Sequence, residues 1–454
     1  MAARINAKEM IDNRPFGAYQ FWIILLCFLA ATVDGYDTQI IGVAVPGIRE
    51  TLHLQPATIG IILTAGQIGV MLGAFCLGPV ADRIGRRAML IITPIIFGFF
   101  SLLIAFATSV EQLVVLRVLS GLGMGGIVPA AMAFASEYAP HRLRATVTTL
   151  VWMALPVGGM IGGFSAVWLI PAYGWQSLFI VAGILPLIMA VVLAIALPDS
   201  LAYLSASGAA QTKLRAIARR IDPAIAAQGD VELYWNEEKL PGVPLKHLFT
   251  EGRMAGTLLL WVIFFLSFFL MIWFISWVPS LVRMSGAAAT TVGTTLAAWN
   301  IGSLLATALI GRLIDKLGYY RILPVCFALI FVAMMALGYF ISAPYALVAV
   351  LVGTVGFFTG GSNSGLMALA ASSYPVAIRS TGMGAAYAIG GRSGALCGPM
   401  LGGVLLQMGW APPSICYLMA TPMLLGVLVL LLLRRQAQFR HEVSGRLSVA
   451  ASSA

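Results

Sequence analysis

Two aspartates and two arginines stand inside otherwise apolar stretches of this 454-residue chain: Asp34, Asp37, Arg117 and Arg392. The remaining Lys, Arg, Asp and Glu lie at the ends of those stretches or in polar loops. A charge at mid-bilayer costs about 2.5 to 3.5 kcal/mol on insertion scales, so four such residues mark a path for something charged. Asp34 and Asp37 are three apart, which on a helix puts both carboxylates on one side about a turn apart. A carboxylate beside a guanidinium in a low-dielectric cavity can change its charge when an anionic ligand competes for that guanidinium. The four histidines, His53, His141, His247 and His441, fall outside the apolar stretches, which leaves the carboxylates as proton carriers. A buried structural salt bridge is the competing reading of the same pattern.

These charges need helices to hold them at the right depth. With 60% hydrophobic and only 10% charged residues, the chain cannot cover a soluble surface, which needs about a quarter of its residues charged. The apolar runs are about 20 residues long, enough to cross a hydrocarbon core of about 30 Å as a helix. Twelve spans are expected, at 19 to 45, 57 to 78, 88 to 108, 112 to 135, 146 to 170, 176 to 197, 255 to 279, 291 to 311, 322 to 341, 345 to 369, 381 to 407 and 411 to 433. The alternating segments of a membrane β-barrel are absent from the pattern. At 1.5 Å per residue, the two aspartates lie roughly 22 to 27 Å along the first span, Arg117 roughly 8 Å in from the opposite end of the fourth, and Arg392 roughly 16 Å into the eleventh. Asp34, Asp37 and Arg117 thus share a depth.

Cations fall on one side. Arg4, Lys8, Arg14, Arg83, Arg86, Arg87, Arg142, Arg144, the run from Lys213 to Arg253, Arg312, Lys316, Arg321, Arg379 and the C-terminal arginines lie in alternate loops, and the opposite loops hold only Arg49 and Arg283. The positive-inside rule then makes both termini and the long central loop cytoplasmic. That bias accounts for the net charge of +10 without a nucleic-acid surface, because the basic residues are dispersed over short loops. Cys27, Cys76, Cys326, Cys397 and Cys416 sit singly with no CxxC spacing, so neither a disulfide framework nor a thiolate metal site is expected. The first apolar run is too long for a signal peptide and has no small-residue cleavage site behind it, so it is expected to be retained.

The polar stretch 198–253 divides the chain into two sets of six spans that repeat each other. GPVADRIGRR at 78–87 matches GRLIDKLGYYR at 311–321, and the offset separating Asp82 from Asp315 also separates Pro46 from Pro279. YAPHRLRAT at 138–146 matches YPVAIRST at 374–381 nearly in register. The expected layout is a cytoplasmic segment 1–18, a six-helix bundle 19–197, a linker 198–253 with a short amphipathic helix near 212–220, a second bundle 254–433 and a disordered cytoplasmic tail 434–454. Two parallel bundles of this kind hold substrate near the membrane midplane.

The loop pattern G-x-x-x-D-R-x-G-R-R, its weaker copy and the 6+6 layout resemble the major facilitator superfamily. More narrowly, Asp34-Gly35-Tyr36-Asp37, the stretch from Ile11-Asp12 through Gln20-Phe-Trp, and Arg392-Ser-Gly394-Ala-Leu-Cys-Gly398-Pro399 resemble the aromatic acid:proton symporters, bacterial carriers of benzoate, hydroxybenzoates and protocatechuate. The resemblance implies an all-α membrane fold and a proton-coupled importer of a small aromatic carboxylate in the bacterial inner membrane. It also implies no enzymatic activity, no cofactor and no metal, with protons, the acid and the lipid bilayer as the partners of a monomer. Another organic acid, a drug:proton antiporter, or a membrane enzyme or receptor are the alternatives. The GxxxGPxxGG pattern of drug antiporters, which belongs in span five, here occupies span eleven at 394–403, which argues for import.

On this reading Asp34 and Asp37 couple protons, and Arg392 and Arg117 offer cations to the carboxylate, since a guanidinium forms a planar bidentate fork. Hydrogen bonding of Arg392 to opened backbone carbonyls beside Gly390, Gly391 and Gly394 is the structural alternative. Gln67 and Asn300 reach mid-depth and could bind ring hydroxyls or simply join helices. Tyr36 and Trp273 could stack on an aromatic ring or serve as packing. The resemblance further implies a cytoplasmic gate made by Asp82, Arg83, Gly85, Arg86, Glu137 and Arg144, with Asp315 and Arg379 as weaker counterparts. The glycine-rich run Gly121 to Gly126 lacks the Lys-Ser/Thr of a phosphate loop and is expected to pack helices closely.

Overall fold

Each apolar run of about 20 residues forms a helix because a bilayer offers the backbone no other hydrogen-bond partner. In the computed structural model, which describes residues 3–206, 211–221, 231–234, 245–250, 253–288, 290–374 and 378–452, eleven helices are long and apolar enough to cross a membrane. They are α1 (Ala18–Leu52), α2 (Pro56–Ile84), α3 (Arg86–Ile104), α4 (Val110–Tyr138), α5 (Arg144–Tyr173), α6 (Gln176–Ala196), α7 (Met254–Met284), α8 (Thr291–Leu317), α9 (Tyr319–Tyr339), α10 (Tyr345–Ser373) and α12 (Pro412–Ser452). The remaining expected span, α11, is helical but broken into Arg379–Ala385, a π-helical stretch Ala386–Gly391 and Arg392–Gln407. The π-stretch ends against Arg392. Such bulges are frequent at functional sites.

The chain divides into two compact units, Met1–His53 with Ala65–Lys239, and Leu54–Thr64 with Leu240–Ala454. In the first, α1 lies on α5, and α3 lies on α4 and α6. Gly35 explains the closeness of α1 to α5: a Cβ there would overlap the backbone of Leu155, and Gly158 returns the favour against Thr32 and Tyr36. The glycine of Asp34-Gly35-Tyr36-Asp37 is therefore a packing residue that fixes the two aspartates against a neighbouring helix.

The polar ends of this unit are folded onto it. A strand Ala3–Asn6 pairs in parallel with Val231–Tyr234, and helix Ala7–Asn13 buries Met10 and Ile11. The amphipathic helix Gln211–Ile221 buries Leu214, Ile217 and Ala218 in the same core, and Arg220 lies 5.7 Å from the ring centroid of Tyr19. Much of the stretch read as a linker thus belongs to the first unit, because its apolar stripe has a core to join.

In the second unit α8 packs on α10, α9 on α12, and α7 on α11. The first turns of α2 belong here: the Ala57 N–H donates to Gln407 Oε1 at 3.2 Å, Gln407 Nε2 donates to Gln55 Oε1 at 3.0 Å, and Thr64 Oγ1 donates to the Leu396 carbonyl at 3.5 Å. Helix α12 runs to Ser452, past the end of its expected span at 433.

Candidate functional site

Asp37 and Arg117 meet inside the first unit. Arg117 Nη1 stands 3.7 Å from Asp37 Oδ1, with the aspartate side chain 0% and the arginine side chain 4% exposed. Asp37 Oδ2 accepts from the Ser101 hydroxyl of α3 and from the Ser120 hydroxyl of α4 at 3.4 Å. The two hydroxyls also bond each other at 2.9 Å. Arg117 Nε and Nη1 have no hydrogen-bond partner among the described residues, and 3.7 Å is too long for one to Asp37. The guanidinium fits against Gly66 of α2, where a Cβ would come within 3.0 Å of Nη2. The cation is thus close to Asp37 electrostatically while much of its donor fork is uncommitted.

Asp34 is buried at 5% exposure one turn earlier on α1. Tyr36 is buried with its hydroxyl 3.1 Å from Ser165 Oγ of α5, so its ring is enclosed within the first unit. Gln67 is half-buried on α2. Ser101 and Ser120 escaped the sequence analysis, because a serine in an apolar helix ordinarily bonds the preceding turn and carries no signal of its own.

The second unit places Arg392 half-buried at the start of the last part of α11. Its Nη2 donates to the Tyr387 hydroxyl at 3.0 Å, and its Cζ lies 4.9 Å from the centroid of the same ring. The sequence reading left this cation without a protein partner. The structure supplies a neutral one, a phenol five residues earlier, brought round by the π-stretch between them. The bond goes to that phenol and not to opened carbonyls at the neighbouring glycines, and Gly390 and Gly394 serve to bring α11 against the backbone of α7. Arg392 Nε is buried without a partner, and no described carboxylate pairs with the guanidinium. Asn300 is buried and donates to the Leu296 carbonyl at 2.9 Å. Trp273 is fully buried, with its indole N–H unpartnered among the described residues, and its neighbour Trp277 donates to the Pro399 carbonyl at 2.8 Å.

The charges at the helix ends form separate clusters. Arg86 pairs with Glu137, whose other oxygen accepts from Ser200 Oγ at 2.6 Å. Arg87 pairs with Asp199 at 2.8 Å. Arg144 is held by Asp12 at 3.0 Å and by the Ala139 carbonyl at 3.2 Å, so it does not close directly onto Glu137 as a single latch would require. Asp12 also accepts from the His141 N–H at 2.7 Å, an anchoring role for the N-terminal segment that its position in a polar stretch did not announce. Gly85 takes φ +92° between α2 and α3, a conformation that favours glycine. Arg83 and Asp315 are exposed, and the side chains of Asp82 and Arg379 lie outside the described residues.

Membrane helices in two units, with ionisable groups buried inside them, define a carrier of the two-bundle type. The profile of the Major Facilitator Superfamily matches residues 27–288 and 285–451, and the chain belongs to that family. Its relatives are named as transporters of aromatic acids. It is 32% identical to the gallate transporter of Pseudomonas putida over 94% of this chain and 95% of the relative. It is 33% identical to the 4-hydroxybenzoate transporter PcaK of Pseudomonas aeruginosa over 94% and 96%, and 29% identical to the benzoate transport protein of Acinetobacter baylyi over 97% and 95%. Among solved structures, a D-xylose–proton symporter matches with a TM-score of 0.70 at 18% identity over 92% of this chain and 97% of that one, a likeness of fold.

Proposed function

We propose that this protein imports a small aromatic carboxylate of the benzoate and hydroxybenzoate class together with protons, by alternating access in a bacterial inner membrane with both termini cytoplasmic. The observation that carries the reading is the pair of guanidinium groups inside the helices, one buried and one half-buried, with uncommitted donors. Arg117 faces Asp37 without a hydrogen bond, and Arg392 is satisfied in part by a phenol and by no described carboxylate. An anionic substrate can engage Arg392 without stranding a carboxylate of the chain, whereas engaging Arg117 strands Asp37 unless it takes up a proton. In this reading Asp37, with Asp34 beside it, carries the proton, and competition between substrate and Asp37 for Arg117 links the two loads.

The phenol next to Arg392 suits an aromatic acid in particular, since Tyr387 offers a ring face as well as a hydroxyl at the point where the carboxylate would dock. Gln67 and Asn300 are assigned to ring substituents. The pairs of Arg86 with Glu137 and Arg144 with Asp12 are assigned to the cytoplasmic gate, together with Asp82. The carrier works without a cofactor and as a monomer, and its role is transport rather than catalysis. Uptake of radiolabelled benzoate, 4-hydroxybenzoate and gallate into proteoliposomes, with and without an inward proton gradient, tests the assignment. Accumulation above the medium only with the gradient is expected; equilibration with the medium whether or not the gradient is imposed would leave a facilitator, and expulsion under the gradient an antiporter.

A further inference from the structure

A buried carboxylate that gains and loses a proton needs partners suited to both of its states. An ionised carboxylate only accepts, whereas the acid also donates through its O–H. Backbone N–H groups satisfy the first state alone, and carbonyls serve only the second. A hydroxyl can do either, because its hydrogen rotates while its oxygen stays in place.

Asp37 Oδ2 is surrounded by hydroxyls. Ser101 and Ser120, both 0% exposed, donate to it. Ser120 has two other acceptors within reach, Ser101 Oγ at 2.9 Å and the thioether sulfur of Met124 at 3.7 Å. The groups that face Asp37 are therefore Arg117 and Ser120 from α4 and Ser101 from α3, with Tyr36 next to it on α1.

We infer that Ser101 and Ser120 form a two-way hydroxyl switch that lets Asp37 take up and release a proton without moving. This deepens the proposed function and rests on Asp37 being its proton carrier. With Asp37 ionised, Ser101 donates to Oδ2 and Ser120 donates to Oδ2 or to Ser101. When a proton from the aqueous side binds Oδ2, the new O–H donates to Ser101 Oγ, the Ser101 hydrogen turns to Ser120 Oγ, and the Ser120 hydrogen turns to the Met124 sulfur. Release reverses each rotation and returns the proton to water. Asp37 Oδ2 and both hydroxyls keep a hydrogen-bond partner in either state, so protonation at Oδ2 adds no unsatisfied group to this cluster. Ser101 and Ser120 are thus positioning residues for the coupling proton.

Two readouts on the full-length protein test this. The first is infrared difference spectroscopy of the purified carrier between high and low pH, in which the protonated Asp37 is identified as the carboxyl band lost in Asp37→Asn. Ser101→Ala removes the acceptor and should move that band to higher frequency, whereas Ser101→Thr, which keeps the hydroxyl, should leave it in place. The second is transport in proteoliposomes with radiolabelled 4-hydroxybenzoate. Ser101→Ala and Ser101→Cys should lower gradient-driven accumulation about tenfold or more while equilibrium exchange stays within about twofold. Ser120→Ala should act in the same direction, and serves if Ser101 variants fail to fold. A band present in the wild type and unmoved in both alanine variants overturns the switch but keeps Asp37 as proton carrier. Absence of any Asp37-dependent band overturns both. Equal loss of accumulation and exchange, or damage in Ser101→Thr as large as in Ser101→Ala, would show that the serines only pack the helices.

Discussion

The two units treat a buried guanidinium in opposite ways. Arg117 in the first faces a carboxylate that is itself held by two hydroxyls, on helices whose glycines bring backbones into contact. Arg392 in the second faces a phenol, at a break in its helix, and is more exposed. An ion pair in a dry setting is costly to separate, because removing one partner leaves the other charge uncompensated at about 3 to 5 kcal/mol. A cation beside a neutral phenol lacks that commitment and can accept an incoming anion. On the proposed function, the first unit carries the charge coupling and the second the ligand recognition, a division of labour that mutations can test.

The largest effect is expected in the first unit. Asp37→Asn should abolish proton-driven accumulation while substrate exchange at equal pH persists, and Asp37→Ala should in addition destabilise the protein in a thermal unfolding assay by leaving Arg117 without a counter-charge. Wild-type accumulation in Asp37→Asn would move the proton elsewhere and dissolve the contrast between the units.

Arg392 comes next. Arg392→Lys keeps the charge but loses the fork, and should weaken binding of an aromatic acid about 10- to 100-fold, with Arg392→Ala worse. The uncharged amide analogue should change little in either variant. Calorimetry with both ligands decides, since equal losses for acid and amide would make Arg392 a helix-packing residue.

Glu137→Gln removes a buried partner of Arg86 and Ser200 and should alter turnover several-fold more than substrate affinity, measured as uptake rate against equilibrium binding. Loss of both in proportion would place Glu137 in folding and not in gating. Tyr387→Phe sharpens the comparison most directly. It keeps the ring beneath Arg392 and removes one hydrogen bond, so affinity should change by no more than about tenfold. A larger change would mean that the hydroxyl itself touches the substrate. Asp12→Asn should be the mildest, because its pair with Arg144 is about a quarter exposed on each side and worth about 0.2 to 1 kcal/mol, seen as a small shift in thermal stability.

Much of this protein is legible in its sequence because the bilayer imposes a simple rule. Apolar runs must be helices of a set length, and charges within them must have a purpose, so the spans, the repeat and the four embedded charges follow from residue type and spacing alone. The partners of those charges do not. Asp34 and Asp37 differ on paper only by three positions, but rotation along α1 and the close approach of α3 and α4 bring Ser101, Ser120 and Arg117 to Asp37. Asp12 looks like one more polar residue near the N-terminus until the chain folds it onto the loop before α5. Span length is a property of one segment in its solvent, which a sequence states outright. Which hydroxyl, phenol or carboxylate meets a buried cation depends on how separate helices rotate and pack, and that is decided only when glycines such as Gly35, Gly66 and Gly394 let particular backbones and side chains touch.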